Sequence, residues 1–220
     1  AANKIIVALG NYAYDWHDGK ADSLTVEEAW LAAHDSAATP QFLPAAGGSG
    51  FAYEDNGHRH DVWMLDAASS WNQFRMLSRI GATDVALWRL GSEDPGFWNA
   101  LDSWRRGGRP DLSKIAQQSN VDVEGQGEIL KIAAVPQAGL RDVTFDRADG
   151  SIRSETYRRL PTPYAIERTG ARERMVALTF DDGPDPVWTP RILSILERYH
   201  APASFFIVGE NGVENRDLLR

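Results

Sequence analysis

The sequence contains no cysteine, which excludes a disulfide framework, a cysteine-ligated zinc finger and a thiol nucleophile. It has no apolar run of about 18 residues, the length that spans a bilayer as a helix, and no signal-like segment at its start. If the protein is exported, we expect the chain to begin after that signal. Basic residues are not in excess, since 23 Lys and Arg stand against 31 Asp and Glu and give a net charge of -8. Phosphate contacts need clustered cations, so this balance argues against nucleic-acid binding.

The 220 residues are 43% hydrophobic and 25% charged, which is enough apolar material for one large or two modest globular domains. Three stretches differ in composition. Residues 1–104 hold seven of the eight tryptophans, residues 105–172 hold none, and residues 173–220 switch to an alternation of strand and helix. We predict a mixed α/β protein with these three segments.

The third stretch carries the sharpest chemical signal. Met175–Phe180 is an apolar run that predicts a buried strand, and it ends in Asp181-Asp182-Gly183-Pro184. Thr189 followed by Pro190 predicts a helix start, and Ala203–Gly209 predicts the next strand. Two adjacent carboxylates at the end of a buried strand need compensation for burial, and a metal ion offers it. Open α/β sheets and barrels place their chemistry at this end of their strands.

These residues resemble the first signature of the polysaccharide deacetylases, the NodB-homology family of carbohydrate esterases. The likeness covers Thr179–Pro184 (TFDDGP), Trp188-Thr189-Pro190 and Ala203–Phe206. It implies the start of a deacetylase (β/α) barrel, with Asp181 as general base and Asp182 as the metal-binding carboxylate. It also implies a divalent metal, usually zinc, whose remaining ligands are two histidines of a later HxxxH motif. Such an ion polarises the N-acetyl carbonyl and activates water, from which Asp181 takes a proton.

The chain departs from that family pattern after Asp182. His200 is the only histidine that follows, and it falls in the predicted turn between helix and strand, so we interpret it as a surface residue. The chain ends at Arg220, before the second motif of the family. One carboxylate without a histidine pair does not hold a catalytic zinc tightly. We therefore expect this polypeptide alone to be an inactive piece of a longer enzyme.

In the first stretch, two short apolar runs, Ile5–Leu9 and Asp84–Leu90, predict buried strands. Thr25 is predicted to cap a helix, and Ser69 or Ser70 to cap a second helix that ends at Gly81. Asn56-Gly57 is a strong hairpin signal between two candidate strands.

This stretch resembles the last part of a glycoside hydrolase family 18 barrel, the chitinase-like family, and its spore-cortex-type members in particular. The likeness lies in the first strand running into Tyr12–Trp16, an α+β insertion with Phe51–Asp55 and His60–Trp63, and the closing strand Ala86–Gly91. It implies partial TIM-barrel elements with an α+β insertion.

In this family an aromatic floor lies beneath the reacting sugar, and Trp88 matches it by resemblance; an indole face suits the apolar face of a pyranose. Whether Trp88 serves that role or belongs to the core stays open. Tyr12 and Tyr14 are further candidates for holding sugar without chemistry. For Trp30, Trp71 and Trp98 we predict a place in the core.

Other candidate residues favour ordinary surface roles. Glu124 closes a partial match to the acid signature of family 18, but it follows the closing strand, so we interpret it as a surface loop acid. His58-Arg59-His60 has the residue types of a metal pair, yet beside Asn56-Gly57 a solvated hairpin is the better interpretation.

The middle stretch begins with Arg105–Pro110, a predicted linker. Beyond it, Ile129–Val135, Leu140–Phe145 and Ile152–Tyr157 alternate weakly between turns and predict a small antiparallel sheet. Unpaired strand edges at both ends of the chain would pair with something else, and a homo-oligomer is one such outcome.

The two resemblances together predict a fragment of a bacterial enzyme, a metal-dependent N-deacetylase of N-acetylglucosamine polymers joined to a chitinase-like module. Its substrate places the expected parent outside the cytoplasm, in the envelope or secreted. The alternative is a non-catalytic carbohydrate-binding or scaffolding module.

Overall fold

The computed structural model describes residues 5–170 and 175–219, so Glu173 and the start of the third predicted segment lie outside the described residues. The chain divides into two compact units, Ala1–Thr169 and Gly170–Arg220. Each mixes helices with sheets, and the predicted α/β class is confirmed. In the described part of the chain, no helix is both long and apolar enough to cross a membrane.

The first unit contains, in chain order, β1 (Val7–Gly10), β2 (Ala13–His17), β3 (Lys20–Leu24), α1 (Val26–Asp35), β4 (Gln41–Leu43), β5 (Gly48–Asp55), β6 (His58–Met64), α2 (Ala67–Ser78), β7 (Val85–Trp88), α3 (Gly96–Arg105), β8 (Lys114–Ile115), β9 (Val121–Gly125), β10 (Ile129–Ala134), β11 (Gly139–Phe145), β12 (Ile152–Arg159) and β13 (Tyr164–Thr169). The second unit contains β14 (Thr179–Gly183), α4 (Trp188–Tyr199), β15 (Ser204–Ile207), α5 (Gly209–Glu214) and a 3-10 turn, Arg216–Leu219.

An eight-stranded sheet dominates the first unit, in the order β3-β2-β6-β5-β4-β12-β11-β8. Its neighbouring strands are antiparallel. The two predicted barrel strands, β1 and β7, form a separate parallel pair that starts with Val7 opposite Val85. This parallel pairing is the arrangement that two adjacent strands of a barrel have, so it agrees with the predicted partial-barrel elements.

Side-chain caps fix the helices that flank these strands. Thr25 forms the predicted cap of α1 and makes a full capping box with Glu28. The prediction for α2 was wrong, because Asp66 rather than Ser69 or Ser70 is its N-cap. The Asp66 carboxylate accepts a hydrogen bond from the Ser69 backbone N–H at 3.0 Å. Aspartate and serine are both good N-cap residues, so the residue type alone does not identify the cap. The cap is the residue directly before the first helical turn, and that residue is Asp66.

Two apolar clusters form the core of the first unit. Trp71, Phe74 and Phe97 pack between α2, α3 and β1, and Trp30 packs beneath the large sheet. The core placement of Trp30 and Trp71 is confirmed, since both are 1% exposed. That of Trp98 was wrong: it is 41% exposed. It follows the buried Phe97 by one position, and one step rotates a helical side chain about 100° away from the buried face.

The middle stretch is not a separate sheet. Three of its strands, β8, β11 and β12, extend the large sheet of the first unit, while β10, β13 and β9 form a small sheet of their own. The three predicted strands are present as β10, β11 and β12. A buried ion pair, in addition to the backbone hydrogen bonds, connects the middle stretch to the rest of the first unit. It joins Arg141 of β11 to Asp94, which lies before α3.

A buried polar network joins the strands and helices at this point. The Arg141 side chain has no exposed surface, and its Nη1 lies 2.8 Å from Asp94 Oδ2 and 3.1 Å from Glu155 Oε1. Tyr157 donates a hydrogen bond of 2.7 Å to Asp66 Oδ2, and Trp30 Nε1 donates one of 3.2 Å to Tyr157. Burial, and then the charge of Asp66, raises the pKa of Glu155 well above its ordinary value. Burial therefore disfavours the charged form of Glu155 within this network.

The second unit is a strand–helix–strand arrangement in which β14 and β15 pair in parallel. Its helix begins at Trp188, so the predicted cap at Thr189 was wrong. Asp185 supplies the missing acceptor, since its Oδ1 accepts from Trp188 N at 2.6 Å and from Val187 N at 2.8 Å. Thr189 instead accepts from Asp185 N through its hydroxyl, at 2.9 Å. A carboxylate just before the helix satisfies the first N–H groups, and threonine inside the first turn ties the loop down.

Candidate functional site

The Asp181-Asp182 pair lies in a β-bulge at the carboxyl end of β14. Thr179 and Phe180 are in register with Ser204 and Phe205, and the register then shifts before Gly183 meets Ile207. The rings of Phe180 and Phe205 stack with centroids 5.0 Å apart and fix the register up to the bulge. A bulge leaves its extra residue without a partner on the next strand and changes the direction of the nearby side chains. Such bulges are frequent next to active sites.

Hydrogen bonds to the following elements hold the backbone at the bulge. Asp182 has φ 63, in the left-handed region that aspartate tolerates better than most residues. Its carbonyl accepts a hydrogen bond of 2.9 Å from Asn211 Nδ2, and the Gly183 carbonyl accepts one of 2.9 Å from Val208 N. Both aspartate residues are exposed. The strand tip is thus tied to α5 while its two carboxyl groups stay accessible.

The residues described by the structure do not complete a metal centre. Within residues 5–170 and 175–219, no group of three or more His, Cys, Asp or Glu side chains is placed to hold an ion. A catalytic zinc site usually has three protein ligands, so Asp182 and its neighbours do not fit a whole site. His200 is exposed and has φ 51 at the C-terminal cap of α4, in the turn where the sequence predicted it.

A second candidate site is a row of rings that we call the aromatic strip: Tyr14, Trp16 and Trp63, which are exposed on the large sheet, and the half-buried Tyr12 just before β2. Tyr14 and Trp16 alternate along β2 with the buried Ala13 and Asp15. Trp63 of β6 is the cross-strand partner of Tyr14. Trp16 is 51% and Trp63 44% exposed.

The strip is a connected surface. Tyr12 and Tyr14 meet edge to face with ring centroids 5.7 Å apart, and Tyr14 lies 6.4 Å from Trp16. All four rings line a shallow pocket of about 160 Å³. Sequence reasoning found Tyr12 and Tyr14 but missed Trp16 and Trp63. The alternation of apolar and polar residues along β2, extended to its hairpin partner, is the signal that could have found them.

The opposite face of β2 anchors the strip. Asp15 Oδ2 lies 2.7 Å from His60 Nδ1 and accepts a hydrogen bond of 3.2 Å from the Tyr53 hydroxyl. The His60 ring stacks between Tyr53 at 4.6 Å and His17 at 4.7 Å. Burial, followed by the charge of Asp15, raises the pKa of Tyr53 to about 12. The predicted hairpin is confirmed, with Asn56 and Gly57 at positive φ.

The interpretation of both hairpin histidines as solvated was wrong for one of them. The side chain of His60 is 15% exposed, whereas that of His58 is 56% exposed and pairs with Asp18 at 2.9 Å. Their positions along β6 explain the difference, because His58 lies beside the turn, whereas His60 is in register with Tyr53 and stacks on its ring.

Trp88 and Tyr12 lie at the same end of the parallel pair β1–β7. Trp88 is the last residue of β7, is in register with Gly10, and is 63% exposed. Its carbonyl accepts a hydrogen bond of 2.9 Å from Asn11 N, next to Tyr12. Glu124 lies in β9, opposite Glu167, and not in the loop that the sequence predicted.

Comparison with known proteins finds similarities that cover the second unit. Residues 168–220 match the family model described as polysaccharide deacetylase. A peptidoglycan-N-acetylglucosamine deacetylase of Bacillus cereus is 47% identical over 60 residues, which are 27% of this chain and 28% of that protein. A chitooligosaccharide deacetylase of Sinorhizobium fredii is 42% identical over 55 residues, 25% of this chain and 26% of that protein.

Other similarities extend over a larger share of the chain. A cortical fragment-lytic enzyme of Bacillus subtilis is 29% identical over 107 residues, 46% of this chain and 25% of that protein. Among solved structures, a chitinase of Chromobacterium violaceum is 28% identical with a TM-score of 0.42, covering 46% of this chain and 32% of that one. The chain spans about a quarter of the length of the first curated relatives that it matches.

Proposed function

We propose that this chain is part of a bacterial polysaccharide-modifying protein that removes N-acetyl groups from N-acetylglucosamine polymers. One observation carries the proposal: the Asp181-Asp182 pair sits in the bulge at the carboxyl end of β14, inside the segment that matches the deacetylase family.

In this proposal Asp181 is the general base. Its carboxylate takes a proton from the water that attacks the acetamide carbonyl. The C–N bond then breaks as that proton passes to the leaving nitrogen, which gives acetate and a free amine. The bulge, stacked Phe180 and the hydrogen bond from Asn211 hold the Asp181-Asp182 backbone in place.

We assign Asp182 as a ligand of a divalent metal, zinc in the complete enzyme, which supplies Lewis-acid chemistry when bound. The described residues bring no histidine to it, so we propose that this chain alone is inactive and that further ligands come from elsewhere in the parent. We place that parent outside the cytoplasm, where its polymer lies.

The first unit supports a carbohydrate-holding role in the same protein. We propose a module like the family 18 glycosidases, in which Trp88, Tyr12 and Tyr14 contact sugar. Exposed indole and phenol rings present flat apolar faces that match the C–H face of a pyranose. The aromatic strip also favours the second candidate function, a non-catalytic carbohydrate-binding module, since its rings need no acid or base beside them.

Acetate release from chitopentaose by the proposed parent tests the base assignment. Asp181→Asn should abolish release, while Asp217→Asn, an exposed acid in the 3-10 turn, should leave it unchanged. Full activity of Asp181→Asn would overturn the assignment.

Metal analysis of the purified chain is the second test. Less than stoichiometric zinc is expected from the chain alone, and one tightly bound zinc per chain would contradict the claim that its site is unfinished.

A further inference from the structure

A basic crevice lies in the first unit, and it shares no lining residue with the pocket at the aromatic strip. It runs between α2, α3 and the turn that joins β11 to β12, and its volume is about 620 Å³. Its walls include Trp71, Trp104 and Phe145, and its cations are Arg75, Arg109 and Arg147. That volume falls within the range of pockets that hold small organic ligands.

Hydrogen bonds from α2 build one wall of the crevice. Trp71 Nε1 donates to the Gly150 carbonyl at 2.9 Å, and Arg75 donates to the Asp149 carbonyl at 2.9 Å from Nε and 2.6 Å from Nη2. Asn72 accepts from Ile152 N at 2.6 Å and donates to its carbonyl at 2.9 Å. The turn is therefore fixed on the helix, and the wall is formed before any ligand arrives.

The aromatic walls are likewise fixed by packing. Trp104 meets Phe74 edge to face at 4.9 Å, and the Arg75 guanidinium lies 6.0 Å from the centroid of the Trp104 ring. Trp71 is buried at 1% exposure, while Trp104 and Phe145 are half-buried. A half-buried ring stays packed against its neighbours on one side and presents a flat apolar surface to a ligand on the other.

The charge of the crevice contrasts with that of the protein. Three arginines line it against one carboxylate, Asp146, although the whole chain carries a net charge of -8. Among the described residues, none of the three guanidinium groups has a carboxylate oxygen within 4.0 Å. Asp146 pairs instead with Arg153, with 3.6 Å between Asp146 Oδ2 and Arg153 Nε. Arginine presents a planar fork of donors that matches carboxylate and phosphate oxygens.

We propose that this crevice binds an oxyanion, a carboxylate or a phosphate, carried on a flat apolar body. Trp104 and Phe145 contact the body, and Arg109 and Arg147 pair with the anion. Arg75 adds its positive charge at the wall while its N–H groups stay on Asp149 and Ser78. The proposal does not depend on deacetylation, since no residue of the crevice belongs to the second unit.

Calorimetry on the whole chain with three probes tests it: indole-3-acetate, phenyl phosphate and the neutral indole-3-acetamide. We expect at least one anionic probe to bind about tenfold more tightly than the amide, the effect of one charge-assisted hydrogen bond. Which of the two anions binds more tightly separates the carboxylate and phosphate sources. Equal binding of all three probes, or binding of none, would overturn the proposal.

Two exposed arginines allow a test that leaves the fold intact. Arg147→Gln and Arg109→Gln should each weaken the preferred anion about tenfold and leave the amide unchanged. Arg158→Gln removes an exposed arginine that pairs with Asp142 outside the crevice, and it should change neither affinity. Unchanged anion affinity in both crevice variants would refute the assignment, and trimming the ring with Trp104→Phe should weaken all probes that bind.

Discussion

Replacement of Arg141 by methionine tests the buried network most sharply. Arg141 is the cation that faces Asp94 and Glu155, and its Nε donates a hydrogen bond of 2.6 Å to the Leu112 carbonyl. Methionine fills much of the same volume but offers neither charge nor donors. The change therefore leaves Asp94 without its cation in a site that has no access to water.

The expected loss is large because one partner of a buried ion pair is removed and the other remains. Such changes cost about 3–5 kcal/mol. For a unit of this size, each kcal/mol lowers the melting temperature by about 2–4 °C, so Arg141→Met should lower it by roughly 6–20 °C.

Tryptophan fluorescence during thermal and urea unfolding measures this loss, because seven of the eight tryptophans lie in the first unit. Arg158→Met is the matched control, since Arg158 pairs with Asp142 in an exposed position and should change the midpoint very little. A midpoint for Arg141→Met that equals that of the control would refute the view that the buried charges depend on each other.

Three further changes have definite expected outcomes. Burial and the charge of Asp66 raise the pKa of Glu155 above its ordinary 4.5, so the folded state keeps a proton that the unfolded state releases. Stability should then fall as pH rises from 4.5 toward the folded pKa, and Glu155→Gln should flatten that decline in urea midpoints; equal slopes would contradict this. Thr25→Ala removes the side-chain acceptor for Glu28 N and should lower the free energy of unfolding by about 1 kcal/mol in the same assay. No change would show that this cap does not stabilise the helix. Trp16→Ala should weaken chitopentaose binding in calorimetry without lowering the melting temperature, and unchanged binding would exclude the strip as a sugar surface.

Local patterns in the sequence predicted the elements that carry the candidate sites. The apolar run before Gly10 forms β1 from Val7 onward, and Asn56-Gly57 forms the hairpin turn. The prediction of a buried strand over Met175–Phe180 was wrong in its extent, because β14 begins only at Thr179 and Val176 is 88% exposed. These features depend on neighbours within a few residues, so periodicity and turn chemistry are sufficient for them.

Long-range pairing was beyond local patterns. The middle stretch joins the large sheet where Thr156 of β12 pairs with Gln41 of β4, and nothing near either residue signals the other. Arg141 and Glu155 are of residue types that are almost never fully buried unless paired, so their burial follows from the pairing and not from composition. The missed rings Trp16 and Trp63 become one surface only when β2 and β6 are placed side by side.

Simultaneous measurement of acetate and free amine during incubation of the proposed parent with chitopentaose tests the central claim most directly. We expect both to appear in equal amounts, without shortening of the oligomer by the second unit, and both to vanish in Asp181→Asn. New reducing ends with no acetate, or binding with neither product, would contradict it.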